Sequence, residues 1–356
     1  MSFDFIPLEL YTPLYFYMLL VLTFVLFFEL NNFGYKASKW GGVLVLFIII
    51  YLGFRPISGA YFGDMETYAR QFEMHQNGET ISKEKDIVFN TFMSFCSKIM
   101  AINFFFLTCA FLYVYPLYLV AKKWFKQYWF YAFFLLVASF SFWSFGTNGI
   151  RNGLGTSIFL LAVSRDKRVF QVGLILLAIG IHKSLILPAL GFLLAQFINK
   201  PKLMIAFWLL CIPLSLAAGG LWESLFASLG FDDRVSYLTD GNINDDEFSS
   251  TGFRWDFLIY SATAVFAGWY FIVKKGFNDT LYFWLFNTYV FANAFWILVI
   301  RANFSNRFAY LSWFMMALVI IYPFLKKKMM QNQHKVAAKV LLLYFAFTFL
   351  MNVILA

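Results

Sequence analysis

The chain has 356 residues, 61% of them hydrophobic and 13% charged, with a formal net charge of +9. No water-soluble fold has an interior large enough to hide that apolar fraction, and cations set among apolar runs point to membrane topology and away from a nucleic-acid partner. Runs near the roughly 20 apolar residues needed to cross about 30 Å of hydrocarbon recur from end to end, apolar all round where a transmembrane barrel would alternate. The expected fold class is all-α: a polytopic integral membrane protein forming one transmembrane domain over residues 1–356, with about 11–12 transmembrane helices and short or re-entrant helices around an outward-facing cavity.

In chain order, spans are predicted at 10–30, 40–54, 87–121, 128–143, 149–164, 169–181, 184–198, 203–219, 256–273, 280–300, 308–325 and 339–356. The opening MSFDFIPLEL has neither a basic n-region nor a small-residue cleavage site, so the first span is read as retained. The stretch 87–121 is long for one span, and its first part reads as an interfacial helix. Residues 169–198 are too long for one crossing and short for two; a hairpin with its tip at His182 and Lys183 is preferred, because it keeps every basic loop on one face. Those loops carry Lys36 and Lys39, then Lys122, Lys123 and Lys126, then Arg165, Lys167 and Arg168. Lys200 and Lys202, Lys274 and Lys275, and finally Lys326, Lys327, Lys328, Lys335 and Lys339 continue the series. By the positive-inside rule these 17 of the 28 Lys and Arg are cytoplasmic. Both termini then lie outside, and residues 55–86 and 220–255 are extracytoplasmic loops. The second loop is rich in Asp, Asn, Gly and Ser, a composition suited to covering a site. Cys96, Cys109 and Cys211 lie in apolar stretches without CxxC spacing and read as packing residues.

The cations left over are Arg55, Arg70, Lys83, Lys85, Lys98, Arg151, Lys183, Arg234, Arg254, Arg301 and Arg307. Ionisable residues at membrane depth are costly unless they face a cavity or a partner, so this set reads as an outward-facing anion site, with snorkelling to headgroups as the plain alternative. In NGIRNGLGTS, Gly149, Gly153 and Gly155 strip side chains from around Arg151 and Asn152, either to admit a substrate or to let helices pack closely. No Lys-Ser or Lys-Thr follows these glycines, so they are no P-loop. GIHKSLILP puts His182 and Lys183 between two short apolar halves, where the imidazole either exchanges a proton with a hydroxyl or is a structural hydrogen-bonding group. In IRANFSNRFAY, Arg301 and Arg307 flank Asn303 and Asn306, and two guanidiniums can grip several phosphate oxygens through forked hydrogen bonds. GFRPISGAYFGDMETYARQFE gathers Arg55, Asp64, Glu66 and Tyr68 in one loop. Asp64 and Glu66 resemble the paired acids that hold a divalent cation in some lipid-linked sugar transferases, but the spacing is a weak signal and no metal is expected. Asp245, Asp246 and Glu247 read as solvated loop charges.

Four of these stretches, in this order, resemble the EpsG family of bacterial exopolysaccharide polymerases, a branch of the Wzy-type group. They are FRPISGAYFGDMETYARQF, RNGLGTSIFLLA, IHKSLILPAL and NRFAYLSWFMMAL, and with the span pattern the resemblance covers most of residues 50–325. Where the family pattern has a glutamate before an aromatic at the start of the third span, this chain has EKDIVF, with Glu84 and Asp86 as the nearby acids. The resemblance implies glycosyl transfer on the extracytoplasmic side of the bacterial cytoplasmic (inner) membrane. Oligosaccharide repeat units carried on undecaprenyl diphosphate, as donor and acceptor, are joined among the membrane lipids; a chain-length regulator is an expected partner, and neither a cofactor nor a nucleic acid is called for. An acceptor hydroxyl attacks an anomeric carbon as lipid diphosphate departs, so the site must stabilise charge growing on phosphate. The resemblance gives Arg151, Arg301 and Arg307 the diphosphate, His182 the acceptor hydroxyl and Asp64 the competing role of base, with Arg55 fixing its loop; Arg55, Glu66, Lys183, Asn152 and Arg254 are the further substrate-site residues. Three alternatives stay open: an O-antigen ligase, with the same donor and another acceptor; a membrane O-acyltransferase, also centred on histidine but needing cytoplasmic access; and a lipid-linked sugar transporter, with charges spread along a path between the faces.

Overall fold

The computed structural model describes residues 3–38, 40–79, 86–228, 252–302 and 305–355. Lys39, Lys83, Glu84, Lys85, Arg234, Asp245, Asp246, Glu247 and Asn303 lie outside the described residues. In hydrocarbon a backbone N–H or C=O has no water to bond and must bond within its own segment, so apolar runs of this length become helices. In chain order they are α1 (Leu8–Phe33), α2 (Gly41–Gly53), α3 (Gly59–Phe62), α4 (Met65–Gln76), α5 (Ile87–Ser97), α6 (Ile102–Phe125), α7 (Trp129–Val137) and α8 (Phe140–Thr147). There follow α9 (Ile150–Val163), α10 (Arg168–Ile181), α11 (Ile186–Phe197), α12 (Pro201–Ser228), α13 (Trp255–Trp269), α14 (Thr280–Leu298), α15 (Asn306–Lys326) and α16 (Gln333–Phe349). Among the described residues, seven segments are long and apolar enough to cross a membrane, and five shorter apolar helices of 10–17 residues accompany them. The chain is a multi-pass helical membrane protein.

The breaks between helices have local causes. The predicted span 87–121 resolves into α5 and α6, because Ala101 is extended and the chain turns at Lys98–Met100. The predicted span 128–143 resolves into α7 and α8. Ser139 between them is extended, and its hydroxyl donates to the Leu136 carbonyl at 2.8 Å, a local bond that competes with helix continuation. The stretch 169–198 breaks where expected: His182 is extended (φ −148°, ψ 120°), and a short 3-10 turn, Lys183–Leu185, precedes α11. The predicted span 203–219 runs on as α12, with non-helical Ala218 inside it (φ −142°, ψ 37°) and Gly219 and Gly220 next in sequence.

The helices group into two compact units. Residues 1–182 with 324–356 form the first, and residues 183–323 the second. In the first, α1 packs on α16, α2 on α6, α6 on α9, α9 on α10, and α5 on both α4 and α10. A buried tyrosine needs an acceptor for its hydroxyl, and this unit supplies carbonyls. Tyr11 and Tyr51 stack at 4.3 Å and each donates to the other's carbonyl, at 2.6 and 2.7 Å. Tyr15 stacks on Trp143 at 4.4 Å and donates to the Val137 carbonyl at 2.7 Å.

In the second unit α14 packs against α11, α12 and α13. One fully buried side chain, Asn293, joins four helices. Its Nδ2 donates to Ser261 Oγ at 3.1 Å and to Ser312 Oγ at 3.0 Å, and its Oδ1 accepts Trp208 Nε1 at 2.7 Å. Trp313 Nε1 donates to the same Ser261 Oγ at 2.7 Å. Both amide protons and the carbonyl oxygen are used, so the network specifies one arrangement. Asn293→Leu leaves the Trp208 N–H without its acceptor and Ser312 Oγ without the Asn293 donor, while Ser261 keeps only Trp313. It should cost roughly 1–3 kcal/mol, read as a lowered unfolding midpoint of the purified protein in detergent; an unchanged midpoint would remove the network from the account of this unit.

Candidate functional site

Arg151 stands in the first turn of α9. Its Nη1 donates to Asp86 Oδ2 at 2.7 Å, its Nε donates to the Tyr68 hydroxyl at 3.2 Å, and the guanidinium lies 5.6 Å from the centre of the Tyr68 ring. The Arg151 side chain is 26% exposed and that of Asp86 7%, so the pair is largely out of water while one edge of the guanidinium stays accessible. Nη2 has no hydrogen-bond partner among the described residues. Asp86 immediately precedes α5 in the left-handed region (φ +50°, ψ +48°), a conformation aspartate tolerates, and its charge sits at the positive end of that helix. Tyr68 is buried on α4, with its ring edge-on to Phe89 of α5 at 5.6 Å. One guanidinium therefore ties α9, α5 and α4 together.

Asp64 reaches the same neighbourhood through a latch. Gly63 has φ +55°, and a Cβ there would lie 2.6 Å from Asn148 Cγ, so a side chain would expel the Asn148 amide. With glycine in place, Asn148 Oδ1 accepts the Asp64 backbone N–H at 2.8 Å. Asn148 is three residues before Arg151, and Asp64, Asp86 and Tyr68 all act electrostatically on that arginine.

Arg55, just past α2, belongs to the support. It is 2% exposed; Nη1 donates to the Leu52 carbonyl and Nη2 to the Thr147 carbonyl at 3.1 Å. Its guanidinium lies 5.5 Å from the Phe106 ring and 5.8 Å from Phe62. Burial pushes it down to about 10, against the raising influence of Tyr11 and Cys109, so it remains charged at neutral pH. The bond to Thr147 fixes the residue beside Asn148. Arg55 thus holds the latch, and its burial fits a loop-fixing role better than substrate contact.

The other expected residues are placed as follows. Glu66 is exposed, with its carboxylate over Gly59. Asn152 is half-buried in the first turn of α9. A Cβ on Gly153 would sit 2.7 Å from the Phe145 carbonyl, so that glycine serves close packing of α8 and α9. His182 is half-buried and ends α10. Gly180, two residues before it, is pressed onto Val88, two residues after Asp86; the histidine end of α10 therefore lies along the start of α5. Lys183 is exposed.

In the second unit, Arg301 is exposed and lies over Gly219 beside the α12 kink, where a Cβ would meet its Cδ at 3.4 Å, and its charge acts on Glu223. Arg307 is half-buried in the first turn of α15. Arg254 makes a forked pair with Asp256, at 2.9 and 2.6 Å, and lies 3.9 Å from the Phe257 ring centre. Among the described residues no group of three or more His, Cys, Asp and Glu side chains comes together at one point.

Two members of the cluster, Asp86 and Tyr68, carry no assigned role in the sequence reading. Each had a signal. Asp86 is the acid before the aromatic in EKDIVF, and Tyr68 follows Asp64 by four positions, one helical turn.

Many apolar helices, with a partly accessible ionic cluster held at helix starts, define a polytopic membrane protein with a charged site. Comparison with known families matches the EpsG family over residues 38–356, and the chain belongs to that family. Membership gives it a polysaccharide-polymerase-type function, with polymerase-like enzymatic activity, and the family suggests lipid-linked oligosaccharides as substrates. No protein of curated function and no solved structure matches it.

Asp86→Asn and Arg151→Gln should each destabilise the purified protein by roughly 1.5–3 kcal/mol, the range for hydrogen bonds to charged groups. The double variant should lose less than the two single losses together, because each single change strands a partner. Strictly additive losses in a detergent unfolding series would dissolve the pair.

Proposed function

We propose that this chain joins oligosaccharide repeat units carried on undecaprenyl diphosphate, on the extracytoplasmic side of a bacterial cytoplasmic membrane, without a divalent metal. The observation that carries the reading is the Arg151 guanidinium, oriented by Asp86 and Tyr68 beside Asp64, with Nη2 left to meet an anion. The acceptor hydroxyl oxygen forms a bond to the anomeric carbon, and the bond from that carbon to the diphosphate oxygen breaks. The hydroxyl proton passes to Asp64 or to His182, and the departing diphosphate takes the electron pair.

Charge therefore grows on phosphate oxygen, and a guanidinium fixed in advance stabilises it without reorganising. Arg151 does this in the first unit, and Arg301 and Arg307 hold diphosphate oxygens in the second. Asn152, Glu66 and Lys183 contact the sugars, and Arg254, paired with Asp256, orders the entry to α13. Arg55 acts through Thr147 and Asn148 as a positioning residue. With two carboxylates already in the field of Arg151, that guanidinium competes with any cation for them. Sidedness rests on the basic loops, and a chain-length regulator is the expected protein partner.

The test is reconstitution: purified protein with synthetic undecaprenyl-diphosphate-linked repeat units in EDTA, resolved on a gel. A ladder is expected; a single addition would mark a ligase, and a ladder that requires added magnesium would overturn metal independence. Arg151→Ala, Arg301→Ala and Arg307→Ala should each lower the rate by about 10²–10³-fold, the cost of removing one preorganised donor. Wild-type ladders from all three would remove the arginines from the chemistry.

A further inference from the structure

The loop between α15 and α16 shapes a basic cavity that the polymerase reading does not use. It encloses about 360 Å³, and its walls include Tyr35, Tyr128, Lys326, Lys327, Lys328 and His334, all within the first unit. Gln333 sets the course of the loop. Its Nε2 donates to the Phe324 carbonyl at 2.7 Å and the Lys327 carbonyl at 2.9 Å, and its Oε1 accepts the Met329 N–H at 2.7 Å. Gln333 is 4% exposed, so the lysines are carried on a held backbone.

A topology signal needs only positive charge on one side; it does not need a concave wall of donors. Some basic residues of other loops are engaged: Lys123 pairs with Asp166 at 2.6 Å, and Lys274 and Lys275 lie over the Trp269 and Tyr270 rings at 5.5 and 5.6 Å. Lys327 and Lys328 are exposed and have no ion-pair partner among the described residues. Among the described residues no carboxylate lines the cavity. The Tyr35 hydroxyl, in its wall, is buried, with Gln333 as its polar neighbour. Three lysines, two tyrosines and a histidine lining one space, with no acid beside them among the described residues, match a compact polyvalent oxyanion that accepts several hydrogen bonds at once. Basic pockets beside membrane helices on the cytoplasmic side take phosphate headgroups by this chemistry.

We propose that this cavity is a phosphate-binding site, taking the phosphate of an anionic lipid headgroup or of a soluble phosphorylated compound. The proposal is independent of the polymerase chemistry.

The full chain in detergent is compared with Lys327→Gln/Lys328→Gln, with Tyr35→Phe, and with the control Lys274→Gln/Lys275→Gln. Native mass spectrometry reads retention of phosphatidylglycerol against phosphatidylcholine, and the unfolding midpoint reads inorganic phosphate against chloride at matched ionic strength. The lysine pair should lower the response about tenfold or more, Tyr35→Phe should lower it less, and the control should match wild type. A response to phosphatidylglycerol alone assigns the site to a headgroup, and a response to inorganic phosphate assigns it to a soluble ligand. Equal responses from wild type and the lysine pair, or an equal loss in the control, overturn the site. Both lysines are exposed, and Tyr35→Phe removes one hydroxyl only, so a folding failure of one variant leaves the other to decide.

Discussion

A guanidinium drawn out of water must be given anions, carbonyls or rings, and the Arg151–Asp86 pair is where this demand organises the first unit. Breaking a largely buried pair costs more than forming it gains, because the survivor is left charged and unsolvated. The partners must therefore arrive together, which constrains three helix starts. Asp86 takes a left-handed conformation to present its carboxylate, Tyr68 turns its hydroxyl inward from α4, and α9 begins where Arg151 reaches both. The Gly63–Asn148 latch and the Arg55–Thr147 bond brace the same corner from behind.

The arginines show how environment sorts one residue type into different tasks. Arg55 is enclosed by carbonyls and phenyl rings and has become scaffold. Arg254 has its charge matched by a forked carboxylate two residues away. Arg151 has committed part of its fork and keeps an accessible edge, the arrangement an enzyme needs to hold a donor rigid while leaving hydrogen-bonding capacity for a ligand. Arg301 lies exposed across a glycine beside a helix kink, and its charge acts on Glu223. On the proposed reading, polymerisation of lipid-linked units asks for such graded cations, since the charge to be stabilised belongs to a substrate that must also leave.

Glycines divide in the same way. The cluster around Arg151 is open to two readings in the sequence, substrate access or helix packing, and Gly153 against the Phe145 carbonyl fits the second. Gly63 falls outside that cluster, yet it is the position where a side chain would displace Asn148 and with it the Asp64 loop. A sequence marks where a backbone is bare; only the neighbour that fills the space says why.

Much of the architecture was legible before any coordinates. Hydrophobic run length is a local quantity, and in hydrocarbon it dictates helix directly, so most of the helices, the break at His182 and the membrane class follow from the residues in order, while the breaks at Ser139 and Ala218 do not. The family resemblance was legible for a similar reason: four short motifs keep their sequence order whatever their packing. The partners of charged side chains were not. Arg151 is separated from Asp86 by 65 positions and from Tyr68 by 83, and no periodicity within a helix connects them. Nor does spacing distinguish the enclosed Arg55 from the open Arg151, since both stand beside apolar helices in an aromatic-rich chain. Tertiary packing alone decided which guanidinium was enclosed, which was neutralised and which kept an edge free, because desolvation depends on everything that surrounds a charge and not on its neighbours along the chain.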